Sequence, residues 1–257
     1  MHRDTNPELA DVERAFAERI RQALQKQYHA VQLTAAGPTI DATVHNVKVV
    51  LNQSSSELLL ATGGLLSEAA ALGIETAAGH IISAGMSVGF SWELANQRAV
   101  DFVTGYQFDL VTGINQTTES RLRRAMQNWI ANGGTLDDLA ASIQPIFEGE
   151  EATAWIESLF GIDRGWIIAE TEATRAFATG KINAYTSSGI ANTEPPIRPP
   201  DDSHVRCRCD VVLEERDGQW VWVWLTARDE AVCQICGPRH DTAVGPAWVN
   251  ESEDEAN

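Results

Sequence analysis

The sequence predicts an α+β protein. A mainly α-helical body over residues 1–190 is followed by a proline-rich arm (191–206), a small cysteine-bearing β-hairpin module (207–248) and an acidic tail (249–257). Three observations carry this reading. Apolar residues recur at helical spacing through much of the first 190 positions. An Asp217-Gly218 pair sits between the strand-forming runs VVLEER and QWVWVWLT, a strong short-range hairpin signal. All four cysteines fall within one 30-residue stretch, Cys207-x-Cys209 and then Cys233-x-x-Cys236.

In chain order, residues 8–28 place Phe16, Ile20 and Leu24 on one face with charges between them, the pattern of an amphipathic helix. Gly37-Pro38 interrupts the next segment, and TIDATVHNVKVVL fits strand or helix equally. Residues 54–100 are rich in Ala, Gly and Leu and read as closely packed helices. Within them Gly85-x-x-x-Gly89 would let two backbones approach. Leu122, Ala125, Met126, Trp129 and Ile130 form another helical face, with Thr117-Thr118 expected to cap its start and Gly133-Gly134 to end it. Thr135-x-x-Asp138 resembles a capping box for a short helix. A further helix is expected from about Asp163 to Ser187, with Glu172 and Arg175 spaced for an ion pair. The segment NTEPPIRPPDDS cannot continue it and reads as an extended arm.

A two-residue turn at 217–218 fixes the hairpin register so that facing residues have numbers summing to 435. Cys209 then faces Thr226, and both cysteine pairs gather at one end of the hairpin. Four thiolates so gathered suit a tetrahedral Zn²⁺ site. His204 and His240 flank the pairs as alternative ligands. Disulfide or unmetallated thiols, and redox use, are the competing readings. The opening MHRDTNPELA carries no charged-then-apolar leader that would point to an oxidising compartment. The strand Trp220-Val221-Trp222-Val223-Trp224-Leu225 is apolar on both faces. Core packing against the helical body and the arm is the first expectation, and a partner-binding indole face the second.

Charge limits the partners. The formal net charge is −17 and the pI near 4.6, and even residues 195–241 hold six Arg and no Lys against nine Asp and Glu. A phosphate-tracking surface needs clustered bases, so direct nucleic-acid binding is not expected. Apolar runs such as Leu58 to Leu66 fall short of the ~20 residues that cross a bilayer, so no membrane span is expected. There is no Gly-rich phosphate loop, no His-Glu-x-x-His and no serine elbow, and no carboxylate pair stands out for acid–base work, so the chain is not expected to be an enzyme.

The string AETEATRAFATGKINAYTSSG resembles the signature of the phage head morphogenesis family, the Mu F-like minor head proteins. The match rests on Ala169, Thr171, Glu172, Arg175, Ala176, Gly180, Ala184, Tyr185 and Gly189. Ala178 departs from the family's usual Asn. WLTARDEAVCQIC and PPDDSHVRCRC resemble two further elements of that family, here in reversed order, and Val205 follows His204 where the family has Pro. Such a permutation is tolerated when the original ends lie close in space. The resemblance covers about residues 90–245. It implies a minor head protein of a tailed phage or prophage that contacts the portal or other head proteins and acts in head morphogenesis, DNA packaging or ejection. Such a protein would reside in the virion, and in the host cytoplasm during assembly. In this setting Thr171, Glu172, Arg175 and Gly180 are structural signature residues. The alternatives are a delivered effector of toxin type and a zinc-stabilised DNA-binding protein.

Overall fold

A computed structural model describes residues 7–34, 39–85, 91–131, 162–200, 207–226 and 234–248. Its elements run α1 (Pro7–Thr34), α2 (Ile40–Gln53), α3 (Ser55–Ser83), α4 (Trp92–Ala131), α5 (Ile162–Ser187), β1 (Asp210–Arg216), β2 (Gln219–Leu225), a 3₁₀ turn (Gly237–Arg239) and β3 (Thr242–Pro246). Among the described residues the protein is thus five helices and one antiparallel sheet of strand order β1-β2-β3, an α+β fold with a helical body.

α1 opens with Pro7, whose missing N–H is no loss in a first turn. It buries Phe16, Ile20 and Leu24, the stripe its periodicity predicts, and Leu9 and Val31 besides. α2 settles the ambiguous segment as helix. Thr39 caps it, its hydroxyl accepting from the Ala42 N–H at 3.1 Å, and Val44, Val47 and Leu51 line up on one buried side. α3 is closely packed, as expected, and its apolar run is longer than the sequence reading allowed. Its 29 residues include an 18-residue window long and apolar enough to cross a membrane, because alanines and glycines extend the apolar run well past Leu66. Just over half of that window is buried within the protein, including Leu65, Leu66, Ala69, Ala70, Ile74 and Ala77.

Two further corrections concern helix ends. Gly85 is no packing notch: with φ +66° and nothing within 4 Å of where a Cβ would stand, it ends α3 in the left-handed conformation, donating its N–H to Ile82 O. Thr117 and Thr118 cap nothing, because α4 runs unbroken for 40 residues from Trp92. Their hydroxyls bond back to the carbonyls of Gly113 and Ile114, and Thr118 also accepts from the buried Arg164 guanidinium at 2.8 Å. Ser91 supplies the cap, accepting from Leu94 N–H. Gly89, the Gly133-Gly134 stop and the Thr135-x-x-Asp138 capping box lie outside the described residues.

Internal contacts divide the chain into two compact units. One holds the described residues within Ala15–Gly63 and Gly105–Ile168. There Gln27, Asn115 and Ser55 form a buried polar chain, and burial pulls Arg164 down to a pKa of about 10 while Thr118 and Ile114 O accept its protons. The other holds those within Met1–Arg14, Gly64–Thr104 and Ala169–Asn257, which puts most of α5 and the sheet in one unit. In this second unit α3 and α5 cross at glycines. A Cβ on Gly73 would lie 2.1 Å from Phe177 O, and one on Gly180 would lie 2.1 Å from Ala70 O.

The sheet packs into the same core. Asp217 and Gly218 both have positive φ, as a type I′ turn requires, and the pairing runs from Asp210 opposite Leu225 to Arg216 opposite Gln219, the register expected from the turn. β3 was not anticipated, and it pairs with β2 through a bulge at Trp222/Val223. Trp222 is fully buried against Ile74, Ala77, Ile182 and Tyr185, its ring edge-on to Tyr185 at 5.8 Å and its indole N–H donating to Thr193 O in the arm. Trp224 is fully buried too and Trp220 partly, so the indole face packs largely as core. Val212, Val223 and Leu225 form a smaller buried cluster on the opposite face.

Candidate metal centre

The register explains how the cysteines meet. Cys207 and Cys209 immediately precede β1, at the end of the hairpin remote from its turn. Cys236 returns to that end in the connection between β2 and β3, just before the 3₁₀ turn, where Arg239 N–H donates to Cys236 O at 3.0 Å and Asp241 N–H to Trp224 O at 2.9 Å. The three sulfurs lie within 4.8 Å of one another, all on buried residues and all free thiols. Trp224, Ile197 and Val244 wall the cluster with apolar surface, and the Arg239 guanidinium lies 5.6 Å from the Trp224 ring centre.

Three close thiols can hold a metal ion. Tetrahedral Zn–S bonds of about 2.3 Å would set sulfurs about 3.8 Å apart, which this spacing reaches by small side-chain movements. The Cys209 thiol is held far above its usual pKa, first by its hydrogen bond with Cys207, then by burial and the neighbouring sulfurs. A divalent cation among the sulfurs reverses each of these effects, because a coordinated thiol ionises outright.

Of the other ligands expected from sequence, Cys233 and His204 lie outside the described residues. His240 is near but stands apart from the thiol group. Its Nδ1 accepts from the Thr226 backbone N–H at 3.1 Å and faces the Thr226 hydroxyl at the same distance.

Thr171, Glu172, Arg175 and Gly180 all sit on α5. Glu172 is buried and paired with Arg175 Nε at 3.2 Å, Thr171 is half-buried, and Gly180 is the point of close approach to α3. What sequence reasoning missed is the neighbouring stripe. Glu170, Thr174 and Lys181 lie at i, i+4 and i+11, one face of a helix, and each bonds to the segment carrying Cys207 and Cys209. Thr174 Oγ1 lies 2.7 Å from Cys207 O, sharing its proton with Glu170 O at 2.8 Å. Arg208 reaches Glu170 at 2.6 Å. Lys181 Nζ meets Asp210 Oδ2 at 2.6 Å with both side chains buried, and the other Asp210 oxygen accepts from Val211 N–H.

Beyond the thiols lies a second, partly buried polar pair, in which His80 Nδ1 and the Tyr185 hydroxyl are 2.7 Å apart. Burial lowers the His80 pKa, assisted by Lys181, and raises that of Tyr185, assisted by Asp210. No protein-family model, curated protein or solved structure matches this chain.

Proposed function

We propose that this chain is a minor head protein of a tailed phage or prophage, associated with the portal and acting in head morphogenesis or in DNA packaging and ejection. Its cysteines hold a structural Zn²⁺, with Cys207, Cys209 and Cys236 as described ligands and Cys233 as the fourth. The ion locks the small sheet against the signature helix and so fixes the surface that a portal or neighbouring head protein reads. A three-stranded sheet this small gains much from such a crosslink.

One observation carries the reading. The signature string and the Cys-Arg-Cys element, each of which resembles the head morphogenesis family, meet as one object, with Glu170, Thr174 and Lys181 on α5 bonded to residues 207–210. With the two cysteine elements in this reversed order, Cys207, Cys209 and Cys236 still converge, which supports the reading. The acidic balance of the chain favours protein partners over packaged DNA.

The test is made on particles and on the purified chain. Particles from an induced lysogen carrying this gene should contain the chain in low copy with the portal protein, and the purified chain should carry one zinc per molecule by elemental analysis. Its absence from particles that contain portal would refute the virion assignment. Metal-free protein that takes up no added zinc would refute the metal assignment separately.

A further inference from the structure

We propose that α5 presets the first half of the metal centre, holding the Cys207-x-Cys209 segment in its ligating conformation before any ion arrives, with Thr174 as a positioning residue. The inference deepens the metal reading above and rests on it.

Small zinc modules without other support are unfolded until metal binds, because nothing else fixes their ligand loops. Here something else does. Within four residues the chain is tied to one helix three times: at the Cys207 carbonyl by Thr174, at the Arg208 side chain by Glu170, and at the Asp210 carboxylate by Lys181. The last tie is a buried ion pair with a definite geometry, and Asp210 uses its second oxygen on Val211 N–H, so the carboxylate fixes the direction in which β1 begins. The helix supplying these ties is itself anchored, since Gly73 and Gly180 press α3 and α5 together at backbone contact. Backbone position at residue 207 and strand direction at residue 210 between them leave Cys207 and Cys209 little freedom. The Cys236 half is held by its own turn, through Arg239 N–H to Cys236 O. Thr174 acts through the Cys207 backbone and touches no metal, in the manner of outer groups that orient ligands.

The experiment uses the full chain stripped of metal by a chelator, with Co²⁺ as the probe. In the metal-free wild type, hydrogen exchange of the peptide spanning residues 207–213 should stay protected, falling less than tenfold on metal removal; exchange at the rate of an unstructured chain overturns the proposal. Thr174→Val should weaken Co²⁺ binding by about 10–100-fold, while Thr174→Ser stays within about threefold of wild type. The saturated variants should show the wild-type Co–thiolate absorption bands, since the ligands are unchanged. A Thr174→Val protein that melts earlier yet binds Co²⁺ as tightly as wild type makes Thr174 merely structural and overturns the proposal, leaving the metal reading intact. Wild-type protein that develops no Co–thiolate absorption overturns both. If Thr174→Val does not fold, the exchange measurement on wild type decides alone.

Discussion

Replacing Gly180 by alanine sets two effects of opposite sign against each other. In an open helical position the change stabilises by up to about 1 kcal/mol, because glycine loses more backbone freedom on folding. At Gly180 the new Cβ would lie 2.1 Å from Ala70 O, 2.9 Å from its carbonyl carbon and 3.1 Å from its Cα. All three are backbone atoms, so no side chain can swing away. Relief requires α3 and α5 to part by about 1 Å, a strain of the overpacking kind that costs about 1–3 kcal/mol or more. The parting also loosens contacts among the residues packed at this crossing, Ile74, Ala77 and Ile182 among them. The steric effect wins, and a net loss of about 2 kcal/mol is expected, a melting temperature lower by about 4–8 °C. Gly73→Ala should behave alike, its Cβ falling 2.1 Å from Phe177 O. Gly79→Ala, on the same helix with nothing within 4 Å, should leave stability unchanged or raise it by up to about 1 kcal/mol. Urea unfolding followed by far-ultraviolet circular dichroism separates the three. A Gly180→Ala midpoint at or above wild type, or a Gly79→Ala loss as large as that of Gly73→Ala, would refute the close crossing.

Two more outcomes follow from buried charge. Lys181→Met leaves Asp210 buried without its partner and should destabilise by about 3–5 kcal/mol, whereas the double variant Lys181→Met/Asp210→Leu should recover most of that loss in a urea-unfolding cycle. His80 faces the Tyr185 hydroxyl, Lys181 and, more weakly, Glu214, and its folded pKa lies below the ordinary 6.5, through burial first and Lys181 second. The unfolded chain therefore binds the proton more readily, so this contribution to stability is complete above about pH 6.5 and declines as pH falls below it. In metal-free protein the urea midpoint should drop between pH 7 and 5, and His80→Gln should flatten that part of the curve.

How far the sequence foretells this fold depends on whether the deciding interactions are local. The Asp217-Gly218 turn sets its own register, and all seven β1–β2 pairs follow from it. α5 is legible to within a residue at its start because its apolar stripe is long. β3 escaped notice because TAVGP is short and holds a Gly-Pro pair, and it becomes a strand only by lying beside β2. The Thr117-Thr118 cap failed for a tertiary reason, since Thr118 accepts from an Arg164 distant in sequence. At the thiol site the clustering of Cys207, Cys209 and Cys236 could be read from their spacing and the hairpin register. Their support could not, because Thr174 and Lys181 gain meaning only once α5 lies against residues 207–210.

The position of Cys236 in the β2–β3 connection, and not at the hairpin's own base, gives the centre a topological reach. An ion shared by Cys207 and Cys236 would close a covalent-coordinate ring of 30 residues that encloses the whole β1–β2 ribbon. By the chain-entropy reasoning used for disulfides, such a ring removes about 3.6 kcal/mol of disorder from the unfolded ensemble. Unlike a disulfide, the staple can be withdrawn by a chelator or by acid. The ribbon would then carry a stability set by the metal supply of its surroundings.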